Sequence, residues 1–351
     1  MTCKGVHRVD AASLQGEGRN PRRVLVTGGA GFIGSHLVDA LLTRGDLVTV
    51  VDNLSTGRRA NLPPTHERLR FIEADLSSAL DAFGPGETFH ETYHLAAAVG
   101  VKLVIEDPIR SIETNVDQTA QLLRFTSDPA RYAARDGRGV PTLIASSSEV
   151  YGKGVKTPFS EDDDVIYGPT TVGRWSYAAS KAVDEYLALA YFQKHHLPVV
   201  IARFFNTVGP RQVGHYGMVL PRFVAAALRG ESLTVYGEGN QTRCFCDVRD
   251  VVDVLPRMLA TRACHGRVIN VGSDSPISIA DLAALVVRTL ESPSRISRVP
   301  YSEAYAEGFE DLQQRQPDLR RLRAAVGFEP KFSLERTVRD VASFIRDGGG
   351  V

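Results

Sequence analysis

The octapeptide Thr27-Gly28-Gly29-Ala30-Gly31-Phe32-Ile33-Gly34 stands between a short apolar run, Val24-Leu25-Val26, and a helical stretch that begins Ser35-His36-Leu37-Val38. Few folds place glycines at 28, 31 and 34 between a strand and a helix. The turn needs glycine for its backbone freedom, the next position needs it so that backbone amides can approach a diphosphate, and the helix start needs it for close packing. The helix N-terminus then faces the negative charge. The next apolar run, Val48-Thr49-Val50-Val51, ends at Asp52, roughly 20 residues on, where an acid can hold a ribose hydroxyl. A dinucleotide site is therefore expected at Gly28, Gly31, Phe32, Ile33, Gly34, Asp52 and Asn53. Aspartate at this strand end favours NAD over NADP, while Arg58 and Arg59 keep the second cofactor open. Asp75, followed by Leu76, either accepts from the adenine amino group or caps a helix.

Along the chain, apolar runs alternate with helical patterns: 24–27, 35–44, 47–51, 71–74, 92–95, 112–125, 142–146, 176–194 and 198–201. Such alternation specifies a parallel sheet covered by helices on both faces. Uninterrupted runs such as Val199-Val200-Ile201 suit strands buried on both sides. The expected fold class is α/β, a doubly wound parallel-sheet Rossmann fold. Residues 1–21 read as a disordered tail and 22–205 as the cofactor-binding unit, to which 243–271 returns. Residues 206–242 and 272–351, with helical stretches at 220–228, 279–290 and 334–345, form a smaller interleaved lobe that carries the substrate site.

Composition excludes several classes of partner. Lys plus Arg and Asp plus Glu both total 41, so the chain lacks the positive field that binds nucleic acid or an anionic membrane. No apolar run reaches the ~18 residues of a membrane span. Four cysteines, Cys3, Cys244, Cys246 and Cys264, are too few and too irregularly spaced for a disulfide framework or a zinc site. A reducing, cytoplasmic setting without metal is expected. Cys244 and Cys246 read as core strand positions, and His195-His196 as an exposed helix end.

Tyr177 and Lys181 lie four residues apart in a helical stretch and share one face. A free phenol titrates near 10, so it is a poor base at neutral pH unless neighbouring positive charge favours the phenolate. Ser146-Ser147-Ser148, at the end of the preceding apolar run, stands where a hydroxyl would bind the reacting oxygen.

These motifs, together with His94-Leu95-Ala96-Ala97, Ser147-Ser148-Glu149-Val150-Tyr151-Gly152 and Arg203-Phe204-Phe205-Asn206-Thr207-Val208-Gly209-Pro210-Arg211, resemble the extended short-chain dehydrogenase/reductases that remodel nucleotide sugars. The likeness runs from Arg22 to Ile345. It implies tightly held, recycled NAD, contacted also by Leu95, Ala96 and Ala97, and oxidation of the sugar at C4 with Tyr177 as base beside Lys181, Ser147 and Ser148. Ser147-Ser148-Glu149 is similar to the Thr-Ser-Glu of UDP-glucuronate decarboxylases, although 4,6-dehydratases also carry a glutamate there. Gly173-Arg174-Trp175 and the stretch 308–319 resemble the same decarboxylases. By that likeness Arg315 sits at the sugar carboxylate and Glu149 reprotonates C5. The product is then a UDP-4-keto-pentose, UDP-xylose, or both.

One stretch departs from that pattern. Ala96-Ala97-Ala98-Val99-Gly100-Val101-Lys102 looks more like the 4-epimerases, which stand as the alternative activity, with 4,6-dehydration third; Lys102 is either a substitute anion ligand or an exposed lysine. At the nucleotide end, the resemblance assigns Asn206, Arg222, Gln241 and Arg243 to the UDP-sugar, with Tyr236 either stacking on uracil or packing in the core. It also implies a homodimer built from the Tyr/Lys helix and the helix near 112–125.

Overall fold

The computed structural model describes residues 20–97, 107–134, 138–214, 218–300 and 314–350. In chain order the first unit comprises β1 (Arg23–Thr27), α1 (Phe32–Thr43), β2 (Leu47–Asp52), β3 (Leu69–Glu73), α2 (Leu76–Ala82), β4 (Glu91–His94), α3 (Pro108–Ser127), β5 (Thr142–Ser147), α4 (Trp175–His195) and β6 (Val199–Phe204). There follow β7 (Thr207–Val208), α5 (Val219–Arg229), β8 (Leu233–Tyr236), β9 (Thr242–Cys244), β10 (Cys246–Asp247), α6 (Val248–Ala260) and β11 (Arg267–Val271). The chain continues through β12 (Pro276–Ser278), α7 (Ile279–Thr289), β13 (Ile296–Val299), β14 (Gln314–Arg315), α8 (Arg320–Val326) and α9 (Leu334–Arg346).

Seven strands form one parallel sheet in the order β11-β6-β5-β4-β1-β2-β3. The order reverses between β1 and β4, so the carboxyl ends of these two strands open a crevice there, the usual ligand position of such sheets. The strands are apolar throughout because both faces are covered. Val24, Val26, Val48 and Val50 pack beneath α1 and α6, while Leu25, Val51, Ile144 and Ile201 pack with α2, α3 and α4. In α1, Leu37, Val38, Leu41 and Leu42 recur at helical spacing, which places one buried stripe against the sheet.

The second lobe has its own core, in which Leu220 and Phe223 of α5, Leu282 and Val286 of α7 and Val338 of α9 meet. Its strands are short. The β8/β13 pair and the β12-β9-β14 sheet are separate from the main sheet.

The division between units differs from the expected one in two places. Leu319, Leu322 and Phe328 lie in the core of the main sheet with Leu255 and Ile269, so residues 319–328 belong to the first unit. Leu322, one helical turn from Leu319, gives α8 an apolar face that fits against β11. In addition, Arg243 and Cys244 pair with β12 and β14, so the return begins after them, near Cys246. Cys244, Cys246 and Cys264 are free and buried, and burial pushes the Cys244 thiol up to about 12. His195 and His196 are exposed at the end of α4, as expected. The tail up to residue 19, including Cys3, lies outside the described residues, as do Val99 and Lys102 of the departing stretch and residues 308–313.

Candidate active site

At the mouth of the crevice the glycine positions behave as the sequence requires. Gly28 has φ +71° and its amide donates to Val51 O; a Cβ there would stand 2.5 Å from Ala96 N. A Cβ on Gly34, inside α1, would run into Gly28 O and approach Gly29 Cα to 2.8 Å. Gly31 occupies the N-cap of α1 with Phe32 and Ile33 in the first turn, and no side chain caps that end. The amides at the start of this helix therefore remain available to an anion.

Asp52 ends β2 and serves the turn directly. Its Oδ2 accepts from Ala30 N at 2.9 Å and its Oδ1 from Leu54 N at 2.8 Å. Asn53 Nδ2 donates to Asp75 Oδ1 at 2.7 Å. Asp75 occupies the N-cap of α2 but makes no side-chain capping bond, so a cap does not account for it. Leu76 sends its side chain into the core, which leaves only its backbone for a cofactor. Arg58 donates to Gly350 O, and Arg59 to the carbonyls of Leu62, Pro63 and Pro64, so both arginines have structural work. After β4, Leu95 N donates to Thr27 O and Ala96 N to Thr27 Oγ1, which holds residues 95–97 beside the turn.

Across the crevice, α4 presents Tyr177 and Lys181. Ser147 ends β5, and its hydroxyl accepts from Glu149 N at 3.2 Å and favours ionisation of the Tyr177 phenol near it. Ser148 is buried in the single turn Ser148–Tyr151 that follows. Burial and the Glu149 and Asp184 carboxylates push the Tyr177 phenol above its ordinary value against the lowering influence of the Ser147 hydroxyl. The protein's own charges thus oppose the phenolate that the sequence pattern suggests. Lys181 Nζ donates to Asp184 Oδ2 at 2.8 Å, a partner that sequence reasoning missed although it lies three residues on along the same helix.

Glu149 is the centre of an arginine cluster. Arg315 Nη1 donates to Glu149 Oε1 at 2.6 Å, and Arg174 Nη2 lies 3.9 Å from Oε2. Parallel pairing of β14 with β9 sets Arg315 in register with Arg243. Burial by itself would push the Glu149 carboxyl up, yet Arg315, Arg174 and Arg243 together hold it below the usual range. Arg315 is 7% exposed, and its Nε is buried without a hydrogen-bond partner. Residues 166 apart in sequence are joined here, which periodicity alone does not show.

In the second lobe, Arg222 of α5 lies over the Tyr236 ring, 5.0 Å from its centroid, and Gln241 Nε2 donates to Tyr236 O. Asn206 Nδ2 and Arg222 Nε are buried donors without a hydrogen-bond partner. Buried donors of this kind are costly unless a ligand completes them. The set fits an anionic nucleotide-sugar, and the glycine cradle fits a dinucleotide. Among the described residues no cluster of His, Cys, Asp or Glu could hold a metal ion, and no helix is long and apolar enough to cross a membrane.

A family model described as the NAD dependent epimerase/dehydratase family matches residues 24–272. The chain belongs to this family. It is 41% identical over 331 residues to a UDP-N-acetyl-alpha-D-glucosaminuronate decarboxylase of Bacillus cytotoxicus, covering 93% of this chain and 98% of the relative. It is 35% identical to UDP-glucuronic acid decarboxylase 1 of Xenopus tropicalis, over 93% and 73% of the two chains. Among solved structures, a UDP-N-acetylglucosamine 4-epimerase from Methanobrevibacter ruminantium superposes with a TM-score of 0.81 at 29% identity, over 94% of this chain and 100% of that one. A dTDP-glucose 4,6-dehydratase from Streptomyces venezuelae, solved with NAD, gives 0.78 at 28% identity over 93% and 97%. This epimerase/dehydratase family member therefore has the Rossmann fold expected of it, and its curated relatives named here are decarboxylases.

Proposed function

We propose that the protein is an NAD-dependent decarboxylase of a UDP-linked hexuronate. The observation that carries this reading is the buried Arg315, paired with Glu149 beside the Tyr177 face of α4 and left with an unsatisfied Nε. A guanidinium in such a position suits a sugar carboxylate because it offers bidentate donors in a fixed plane. The names of the curated relatives support the same chemistry over 4-epimerisation.

When bound, tightly and reused between turnovers, NAD supplies the two-electron acceptor for C4. Gly28, Gly31, Gly34 and the start of α1 would take its diphosphate, Asp52 a ribose hydroxyl, and Asn53 with Asp75 the adenine edge. Tyr177, helped by Ser147, takes the proton of the C4 hydroxyl, while Lys181 supplies the positive charge that its other neighbours withhold. With a ketone at C4, the C5–C6 bond breaks, CO2 leaves, and the electron pair enters the enolate. Glu149 is ionised while Arg315 holds it and is then a poor acid. A substrate carboxylate that takes over Arg315 releases Glu149 to pick up a proton from solvent and pass it to the C5 carbon of the enolate, so the arriving substrate itself arms the step. Asn206, Arg222, Gln241 and Arg243 hold the UDP, with Tyr236 against the base.

The protein is proposed to work as a cytoplasmic homodimer through α3 and α4, where Ile109, Ile112, Val183 and Tyr186 are exposed. Sedimentation of the native chain against an Ile109→Glu/Tyr186→Glu variant tests this, and an unchanged molecular weight refutes it.

The deciding experiment is proton NMR of the protein with NAD⁺ and, separately, UDP-glucuronate, UDP-N-acetylglucosaminuronate and UDP-glucose. Pentose or keto-pentose signals with release of CO2 are expected from a uronate, and which uronate turns over names the substrate. A galacto-configured product with all carbons retained would move the reading to a 4-epimerase.

A further inference from the structure

Lys181 and Asp184 form an ion pair sealed from water. They are 2% and 0% exposed, and Lys181 Nζ donates to Asp184 Oδ2 at 2.8 Å. Asp184 Oδ1 is buried and makes no hydrogen bond. Removing a carboxylate from water and leaving one oxygen unsatisfied costs stability, so the pair is poorly explained by packing alone. It also terminates a polar chain: Thr27 Oγ1 meets His94 Nδ1 at 2.7 Å, and His94 Nε2 meets Thr119 Oγ1 at 3.3 Å, beside the pair. The chain begins at the residue preceding Gly28 and ends at Lys181, four residues along the helix from Tyr177.

We propose that Asp184 is a positioning residue of this reaction: it anchors the Lys181 ammonium from the protein side and partly offsets the charge that the ammonium presents to Tyr177. The inference rests on Tyr177 being the base, as proposed above. Tyr177, Lys181 and Asp184 succeed one another at spacings of four and three on one helix face. An anchored ammonium needs no rotamer search when substrate arrives, and a carboxylate beside it sets the pH above which Tyr177 stands as the phenolate that takes the proton.

The other charged groups around the pair are already spoken for. Glu185, next on α4, is closed by Arg203 of β6 through bonds of 2.8 and 2.6 Å and by Ser146. His94 of β4 is kept neutral by burial and by Lys181, which together pull it to about 3. Glu149, in the turn after β5, is held by Arg315. From α3, Asn115 donates to Ser180 and Thr119 meets His94, and neither side chain titrates. Among the described residues Asp184 is the carboxylate in contact with Lys181.

The test is Asp184→Asn, which keeps the shape and removes the charge. Seven residues of helix place Asp184 roughly 10 Å from Tyr177, and at an effective dielectric of about 20 its loss should move the acid limb of the kcat–pH profile down by about one unit. Asp184→Glu, which keeps the charge, should leave the limb near its native position, and a limb that moves with Glu as with Asn overturns the proposal. A second reading needs no turnover. In a double-mutant cycle by denaturant unfolding, the cost of Asp184→Asn should fall by more than half when Lys181 is already methionine. An unmoved acid limb in a folded Asp184→Asn protein, or an unchanged cost in the Lys181→Met background, overturns the proposal. If Tyr177→Phe stays active, the base assignment itself fails. An inactive Tyr177→Phe with an unmoved Asp184→Asn profile defeats only the role of Asp184.

Discussion

Replacing Arg315 by glutamine separates two effects that the structure ties together. Arg315 is buried, bonded to Glu149 Oε1 at 2.6 Å, and has one further donor unsatisfied. Breaking a fully buried ion pair typically costs about 3–5 kcal/mol. Here the Glu149 side chain is 28% exposed and Arg174 remains 3.9 Å away, so a smaller loss of about 1–2 kcal/mol is expected. The sign of its pH dependence follows from Glu149. Its folded-state carboxyl lies below the ordinary value, so the contribution is present above about 4.3 and fades as pH falls through the lowered value. Unfolding by urea at pH 7 and again near pH 3 should therefore show the gap between native and variant narrowing in acid. For the uronate, the lost group is a charge-assisted, desolvated contact of about 2–5 kcal/mol, roughly 30- to 4,000-fold in kcat/KM. UDP-glucose, which carries no carboxylate, should lose less than about threefold in affinity by competition binding. Equal losses for the uronate and for UDP-glucose would refute the carboxylate contact and leave Arg315 a structural arginine.

Three other outcomes follow from the geometry. Tyr177→Phe should abolish turnover, by at least ~10³-fold, while leaving NAD affinity by calorimetry within a few-fold of native. Gly34→Ala should weaken NAD at least ~10-fold, because its Cβ meets the backbone of Gly28 and Gly29; Gly173→Ala, with open space around it, should bind NAD as the native protein does. His94, lowered to about 3 by burial and Lys181, binds its proton more weakly folded than unfolded. As pH falls below about 6.5 it should cost up to about 1.4 kcal/mol per pH unit, and His94→Gln should flatten the acid slope of urea stability.

The site was legible in the sequence to the extent that its chemistry is local. Gly28, Gly31 and Gly34 fall within one turn and one helix start, and Tyr177 with Lys181 share a helix face, so spacing alone places them. Arg315 and Glu149 were singled out only through family resemblance, and their mutual contact was not foreseen, because it depends on β14 pairing beside β9. Asp184 was adjacent in sequence and still missed: a carboxylate three residues from a lysine is ordinary on a solvated helix, and burial alone makes it unusual. Asp75 was left between two readings, and the absence of a capping bond removed one of them.

By itself, then, the sequence determined the alternation of strand and helix, the parallel sheet and the cradle at its switch point. These follow from side-chain period and from backbone conformations that only glycine accepts. Tertiary structure decided where residues 319–328 pack, which arginines surround Glu149 and what neutralises Lys181. Those outcomes depend on burial and on contacts between distant segments, where removal of water turns ordinary charges into strong ones.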